Sequence, residues 1–159
     1  MIKVGDKIPS ATLRTMKDGN NTAIATDDFF KGKKVALFAV PGAFTPTCSA
    51  KHLPSFLENA DALKKKGIDA IACVAVNDPF VMRAWGENAK SGDAIAMLSD
   101  GNGEFAKALG LDADMSKNGM GTRSRRYSMV VDNGTVTKLN VEEPGAFAVS
   151  SGDHLLTQL

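Results

Sequence analysis

The stretch Pro41-Gly42-Ala43-Phe44-Thr45-Pro46-Thr47-Cys48 places a cysteine in the first turn of a predicted helix, directly after an apolar strand. Thr45 suits the N-cap and Pro46 the first helical position, which puts Cys48 at the third helical residue. Backbone N–H groups there have no intrahelical partner, and together with the helix dipole they favour a thiolate over a thiol. The spacing therefore predicts a reactive cysteine rather than the buried, inert cysteine common in protein cores.

Two side chains near Cys48 can take part in its chemistry. The Thr45 hydroxyl either caps the helix or contacts a substrate held above the sulfur. His52 follows Cys48 by four residues on the same helical face, which permits the kind of Cys–His pair that activates a nucleophile. We favour instead a histidine that holds a backbone group or faces solvent, because the helix start already supplies positive potential.

A second cysteine and three arginines complete the candidates. Cys73 lies in an apolar strand, so we favour core packing, with a partner thiol for Cys48 as the alternative. Arg126 opens a predicted strand, from which it can reach the carboxyl edge of the sheet and place a permanent cation beside the thiolate. Arg123 and Arg125 are interpreted as part of a solvated basic loop.

The elements that must position these residues alternate between strands and helices. The predicted strands span 35–40, 69–76, 95–98, 127–131 and 135–141, the last two joined by an Asn-Gly turn. The predicted helices span 46–66 with a kink at Pro54, 79–90, Ser99 or Asp100 to 109, and a short segment from 152. Residues 1–30 are interpreted as weak extended segments with a hairpin-like turn at 17–21, and 112–124 as a loop.

The order β-α-β-α-β-α-β-β-α predicts an α/β fold in a single domain over residues 1–159. We expect a largely parallel sheet covered by helices on both faces, with an antiparallel terminal hairpin. A cysteine at a strand-to-helix turn then lies at the carboxyl end of its strand, where open α/β sheets place their sites.

Composition and charge exclude several classes of function. The 159 residues carry a formal charge of +1 without a long basic block, which argues against nucleic acid or an anionic membrane as a partner. No apolar run approaches the ~20 residues of a membrane span, and the N-terminus has no signal-peptide pattern, so we expect a cytoplasmic protein. Cys48 and Cys73 lie 25 residues apart, which suits a reducing cytosol and not a zinc site.

Phosphate-binding and cofactor motifs are also missing. No Gly-rich phosphate loop stands in the required strand-to-helix context. Trp85, with Phe80 and Met82, is interpreted as core or subunit interface rather than as a cofactor site. We therefore expect neither a cofactor nor a metal.

The pattern Pro41-x-x-x-Thr45-x-x-Cys48 resembles the active-site motif of peroxiredoxins, and the fuller string from Pro41 to Ser49 resembles their type II, peroxiredoxin-five-like subfamily. Three further segments are similar to that subfamily: 52–54, 76–82 and 126–131. The resemblance implies a thioredoxin-like fold, with a central mixed β-sheet flanked by helices. It also implies a catalytic set of Pro41, Thr45, Cys48 and Arg126.

By this resemblance, Cys48 is the peroxidatic cysteine. Its thiolate attacks the terminal oxygen of hydrogen peroxide or an organic hydroperoxide and becomes a sulfenic acid. Arg126 favours the thiolate and stabilises charge as the O–O bond breaks, Thr45 and backbone N–H groups position the peroxide, and Pro41 shields the sulfur. No cofactor or metal is implied.

The region 146–151, where some members carry a resolving cysteine, contains none. We therefore expect an external thiol to resolve the sulfenic acid: glutathione with glutaredoxin first, thioredoxin second. Cys73 matches a second cysteine of some members, and its pairing is left open. The resemblance also implies a homodimer.

Two other functions are compatible with a reactive cysteine. One is a non-enzymatic redox sensor that passes oxidation to a partner protein. The other is a Cys–His hydrolase, which requires His52 to activate Cys48 and lacks a visible third orienting group.

Overall fold

The computed structural model describes residues 1–159, and its centre is a seven-stranded mixed sheet with helices on both faces. The strands are β1 Thr12–Lys17, β2 Asn20–Ala25, β3 Lys34–Ala39, β4 Ala70–Ala75, β5 Ala96–Ser99, β6 Asp112–Asp114, β7 Thr122–Ser124, β8 Tyr127–Asp132 and β9 Thr135–Val141. The helices are α1 Thr26–Phe30, α2 Leu53–Glu58, α3 Ala60–Lys65, α4 Pro79–Asn88, α5 Glu104–Leu109 and α6 Gly152–Thr157, with a π turn at Cys48–His52 and a 3₁₀ turn at Ser116–Asn118.

The sheet order is β2-β1-β5-β4-β3-β8-β9. Only β3–β4 and β4–β5 pair in parallel, and the other neighbours are antiparallel. The predicted mixed sheet is confirmed, whereas the expectation of a largely parallel sheet is wrong. The reason is the N-terminal segment, which forms the hairpin β1–β2 through Asp18 (φ 52°) and Gly19 (φ 80°) and adds two antiparallel strands.

The central strands are apolar on both faces because each face is covered. Along β3, Val35 and Leu37 belong to one buried cluster, and Ala36 and Phe38 to a second cluster on the opposite face. This alternation follows from the two-residue period of a strand. The second cluster contains both cysteines and the start of the helix that follows β3.

The end of β3 and the start of β8 lie side by side at the carboxyl end of β3, and this brings the candidate residues together. β3 ends there and leads through Pro41 toward Cys48. β8 runs antiparallel to β3, with Tyr127 opposite Ala39, so Arg126 enters the sheet at the same edge. The carboxyl end of β3 is therefore where Arg126, the residue before β8, meets the first helical turn.

The helix after β3 differs from the single kinked helix predicted over 46–66. It begins at Pro46, widens into the π turn and continues as α2, so the Leu53 N–H reaches the carbonyl of Cys48. The break lies at Asn59 (φ −100°, ψ 7°) rather than at Pro54. Pro54 is the second residue of α2, directly after the π turn.

The structure differs from the sequence prediction at two further places, the start of α5 and the segment 112–124. α5 begins at Glu104, not at 99 or 100, because Gly103 turns left-handed (φ 72°); the Asp100 carboxylate still accepts from the N–H groups of Phe105 and Ala106. The segment 112–124, expected to be a loop, contains the small ribbon β6–β7. The Asn-Gly hairpin between β8 and β9 is confirmed. None of the helices is both long and apolar enough to cross a membrane.

Candidate active site

Cys48 lies at the first turn after β3, and its side chain is fully buried. Two polar groups touch its sulfur: Thr45 Oγ1 at 2.8 Å and Arg126 Nη2 at 3.0 Å. A hydroxyl and a guanidinium beside one sulfur are donors suited to a thiolate. The structure thus brings three of the sequence-predicted site residues into direct contact.

Thr45 does not cap the helix with its side chain, contrary to the N-cap prediction. Its hydroxyl lies 2.7 Å from the carbonyl of Gly42 as well as 2.8 Å from the sulfur, while its own carbonyl accepts from the Ser49 N–H. The hydroxyl therefore contacts the sulfur and the Gly42 carbonyl, and it accepts no hydrogen bond from a helical N–H group. A hydroxyl has a single hydrogen, so it donates either to the Gly42 carbonyl or to the Cys48 sulfur.

Arg126 is held from two sides. Nη2 donates to Cys48 Sγ, and Nη1 donates to His52 Nδ1 over 2.8 Å. Phe147 lies beside the guanidinium, 5.9 Å from its central carbon to the ring centre. Because the guanidinium is planar and always charged, these contacts fix a permanent cation next to the sulfur.

His52 is buried, and its two ring nitrogens have different partners. Nε2 lies 2.8 Å from the carbonyl of Ser150, which can only accept, so Nε2 carries the proton and Nδ1 accepts from Arg126. Burial, followed by the charge of Arg126, lowers the pKa of His52 from 6.5 to about 3, so the ring is neutral. His52 therefore holds a backbone group, as we favoured, and is not the general base of a Cys–His hydrolase.

Glu142, directly after β9, is a buried carboxylate that the sequence does not reveal as part of the site. Its Oε2 accepts from the N–H groups of Ala148, Val149 and Ser150 and from the Ser150 hydroxyl, at 2.7–2.8 Å. Burial alone would raise the pKa of Glu142, but these donors lower it below its ordinary value. An acidic residue just before a loop of small residues was the available sequence signal.

Cys73 is packed in the core at the centre of β4, opposite Phe38. Burial, and next the proximity of Cys48, raise its pKa well above the ordinary value, so it stays a thiol. Neither cysteine forms a disulfide.

Arg123 and Arg125 are half-buried and tie loops together, which corrects the expectation of a solvated basic loop. Arg123 donates to the carbonyls of Met120 and Val76, and Arg125 donates to the carbonyl of Glu142. Both guanidinium groups thus donate hydrogen bonds to backbone carbonyl oxygens.

Trp85 is core, as expected, and also reaches the active-site helix. Its indole N–H donates to Ser49 Oγ over 3.0 Å, next to Cys48 in the chain. Met82 is buried, whereas Phe80 is 54% exposed.

A cavity of about 510 Å³ opens beside the site. Pro41, Thr47 and Arg126 form part of its wall, and segments 113–118 and 142–146 supply most of the rest. Pro41 is half-buried. No group of three or more His, Cys, Asp or Glu side chains in the molecule is arranged to hold a metal ion.

Comparison with known proteins identifies the family. Residues 3–156 match the family model Redoxin. Peroxiredoxin-2B of Arabidopsis thaliana is 46% identical over 99% of this chain and 98% of its own length. This chain belongs to the peroxiredoxins. Chloroplastic Peroxiredoxin-2E-2 of Oryza sativa subsp. japonica is 53% identical to this peroxiredoxin, over 99% of the chain and 72% of the relative.

Solved structures agree with this membership. The crystal structure of reduced Prx3 in complex with H₂O₂ from Vibrio vulnificus matches this peroxiredoxin with a TM-score of 0.96 at 51% identity, covering 99% of each chain. The thioredoxin-like fold implied by the sequence is confirmed, and so is the predicted enzyme class, a thiol-dependent peroxidase.

Proposed function

We propose that this peroxiredoxin reduces hydrogen peroxide and alkyl hydroperoxides at Cys48, with Thr45, Arg126 and Pro41 as its catalytic partners. The observation that carries the proposal is the position of Sγ between a hydroxyl at 2.8 Å and a guanidinium at 3.0 Å. Donors preorganised around one sulfur stabilise both the thiolate and the charge that develops on the peroxide oxygens.

The oxidation step needs only two reactants, the Cys48 thiol and the peroxide. The Cys48 thiol first ionises and releases a proton; the thiolate attacks the terminal peroxide oxygen, the O–O bond breaks, and the leaving oxygen takes up one proton in return, so that water or an alcohol is released. The sulfur gives up two electrons and becomes a sulfenic acid. Pro41 limits the access of solvent to the sulfur while this occurs.

Sustained turnover of peroxide by the purified, reduced protein tests the proposal. Loss of turnover in Cys48→Ser, with Cys73→Ser active, is the expected result. A Cys48→Ser variant that keeps its activity contradicts it. Stoichiometric oxidation without turnover would indicate the redox sensor instead.

For the reductant we propose glutathione with glutaredoxin, and thioredoxin second. The glutathione thiolate attacks the sulfenic sulfur, water leaves, and a second thiol then reduces the mixed disulfide. In support, 146–151 contains no cysteine and Cys73 is fully buried. Turnover with each reductant system in parallel, on wild type and Cys73→Ser, distinguishes them: loss of the thioredoxin-supported rate alone in Cys73→Ser would make Cys73 a resolving residue.

We also propose that the protein is a homodimer in the cytoplasm. Exposed phenyl rings at Phe44 (50%) and Phe80 (54%) support self-association next to the active-site turn. The two free cysteines fit a reducing compartment. Sedimentation of wild type and Phe80→Glu tests the dimer, which the charged variant should weaken; a wild-type monomer contradicts it.

A further inference from the structure

Glu142 has no contact with Cys48, yet a chain of hydrogen bonds connects the two. The carboxylate holds the segment 148–150, the Ser150 carbonyl accepts from His52 Nε2, His52 Nδ1 accepts from Arg126, and Arg126 donates to the sulfur. Each link after the carboxylate measures 2.8–3.0 Å.

The first link fixes a backbone carbonyl in space. All four donors converge on one oxygen of Glu142, Oε2, and the side chain is only 3% exposed. A buried carboxylate is costly unless its donors compensate it, so the segment 148–150 and Glu142 stabilise each other. The Ser150 carbonyl is thereby presented to His52.

The second link decides the tautomer of His52. A neutral imidazole has one donor nitrogen and one acceptor nitrogen. With the Ser150 carbonyl fixed at Nε2, the acceptor must be Nδ1, which is the nitrogen that Arg126 needs. The opposite tautomer would point an N–H at the guanidinium and displace it.

We propose that Glu142 is a positioning residue for peroxide reduction, acting through Ser150 and His52 to aim the Arg126 guanidinium at Cys48. The proposal rests on the proposed catalytic role of Arg126. Glu142 follows β9, and its N–H donates to the Arg126 carbonyl over 3.0 Å. Its carboxylate makes no hydrogen bond to the sulfur, to Thr45 or to the Arg126 guanidinium, so the proposed effect passes through Ser150 and His52.

Three substitutions separate positioning from charge. Glu142→Ala removes the acceptor, and a small displacement of a catalytic group can cost one to two orders of magnitude, so we expect sulfenic acid formation at least about tenfold slower. Glu142→Gln keeps an acceptor oxygen and should stay within about threefold of wild type. Glu87→Ala, at an exposed position of α4, is the control and should be unchanged.

His52 provides a spectroscopic signature that a merely structural role would not alter. The chain contains two histidines, His52 and His154, so their imidazole ¹⁵N signals are readily separated. We expect protonated Nε2 and unprotonated Nδ1 for His52 in wild type and Glu142→Gln, and mixed tautomers in Glu142→Ala. His154 serves as the internal reference.

A double-mutant cycle completes the test. In a His52→Phe background the route from Glu142 to Arg126 is cut, so Glu142→Ala should cause no further loss of rate. If Glu142→Ala does not fold, Glu142→Asp replaces it: its carboxylate is too short to hold all three N–H groups, and the rate should fall several-fold with mixed tautomers.

A normal rate in Glu142→Ala, a slow rate with an unchanged His52 tautomer, or full additivity with His52→Phe would overturn the proposal. If Glu142→Asp is the variant measured, a wild-type rate and tautomer do the same. Arg126→Ala separates this failure from that of the proposed function. A slow Arg126→Ala beside a fast Glu142→Ala refutes only the role of Glu142, whereas a fast Arg126→Ala removes the catalytic role of Arg126 and this inference with it.

Discussion

The Arg126 guanidinium spans Cys48 and His52, with one terminal nitrogen 3.0 Å from the sulfur and the other 2.8 Å from Nδ1 of the imidazole. The histidine four residues after the cysteine therefore acts on the cation rather than on the sulfur. This arrangement leaves the Cys48 sulfur in contact with the guanidinium and the Thr45 hydroxyl. It also makes the site sensitive to groups that hold His52.

Removing the guanidinium should slow peroxide reduction. We expect Arg126→Ala to lower the second-order rate constant for hydrogen peroxide by about 25-fold, which corresponds to about 2 kcal/mol of transition-state stabilisation. Arg83→Ala, on the exposed face of α4, is the matched control and should keep the wild-type rate. Equal rates for Arg126→Ala and wild type in stopped-flow measurements would exclude a catalytic role for this cation.

The Thr45 hydroxyl can be tested without a change of shape. Thr45→Val replaces the hydroxyl by a methyl group, and because one preorganised donor is lost, peroxide reduction should slow roughly 100-fold. Thr45→Ser keeps the hydroxyl and should recover most of the rate. The comparison uses the rate of sulfenic acid formation, and a Thr45→Val variant as fast as Thr45→Ser would show that the hydroxyl is dispensable.

The buried neutral state of His52 predicts a pH dependence of stability. Its pKa is lowered to about 3 in the folded protein, so the unfolded chain binds more protons as the pH falls below 6.5. His52 therefore gives the free energy of unfolding no pH dependence above pH 6.5. Below that pH the free energy of unfolding decreases progressively as the pH falls towards 3, by at most about 1.4 kcal/mol per pH unit.

Urea unfolding between pH 7 and 5 measures this effect. We expect the free energy of unfolding to decrease towards pH 5 in wild type and in His154→Ala. His52→Phe should show a smaller slope. An equal slope in all three proteins would mean that His52 is not held neutral.

The junction between α6 and the active-site helix depends on a glycine. A Cβ at Gly152 would lie 2.5 Å from the Ser55 carbonyl oxygen, and the Gly152 N–H donates to Ser55 Oγ over 3.0 Å. We expect Gly152→Ala to destabilise the protein by about 2 kcal/mol or more, because backbone rather than a flexible side chain must move. Thr157→Ala, on the exposed side of α6, is the control in thermal unfolding; equal midpoints would contradict the close packing.

Local patterns were sufficient for much of this molecule. The apolar run of β3, the Asn-Gly hairpin and Pro46 beside Cys48 each depend on neighbours in the chain, and they located the cysteine at a strand-to-helix turn. The resemblance to peroxiredoxins selected Arg126 from three nearby arginines. The predicted positions of Cys48 and Arg126 both follow from the strand or helix next to which each residue lies.

The remaining features depend on contacts between distant segments. Glu142 and His52 are 90 residues apart in the sequence and communicate through the backbone of Ser150, which no residue pattern encodes. The sequence leaves two roles open for the Thr45 hydroxyl, a helix cap or a substrate contact, because its partner, the Cys48 sulfur, is fixed only by the folded turn. The π turn likewise results from the hydrogen bonding of Leu53 to Cys48, which periodicity does not reveal.

The most direct test of the account is the site of first oxidation. Treating the reduced protein with one equivalent of hydrogen peroxide, trapping sulfenic acid and mapping it by peptide mass spectrometry should place the adduct on Cys48, with Cys73 unmodified. An adduct on Cys73, or none on Cys48 while peroxide is consumed, would contradict the central claim that Cys48 is the peroxide-reducing group.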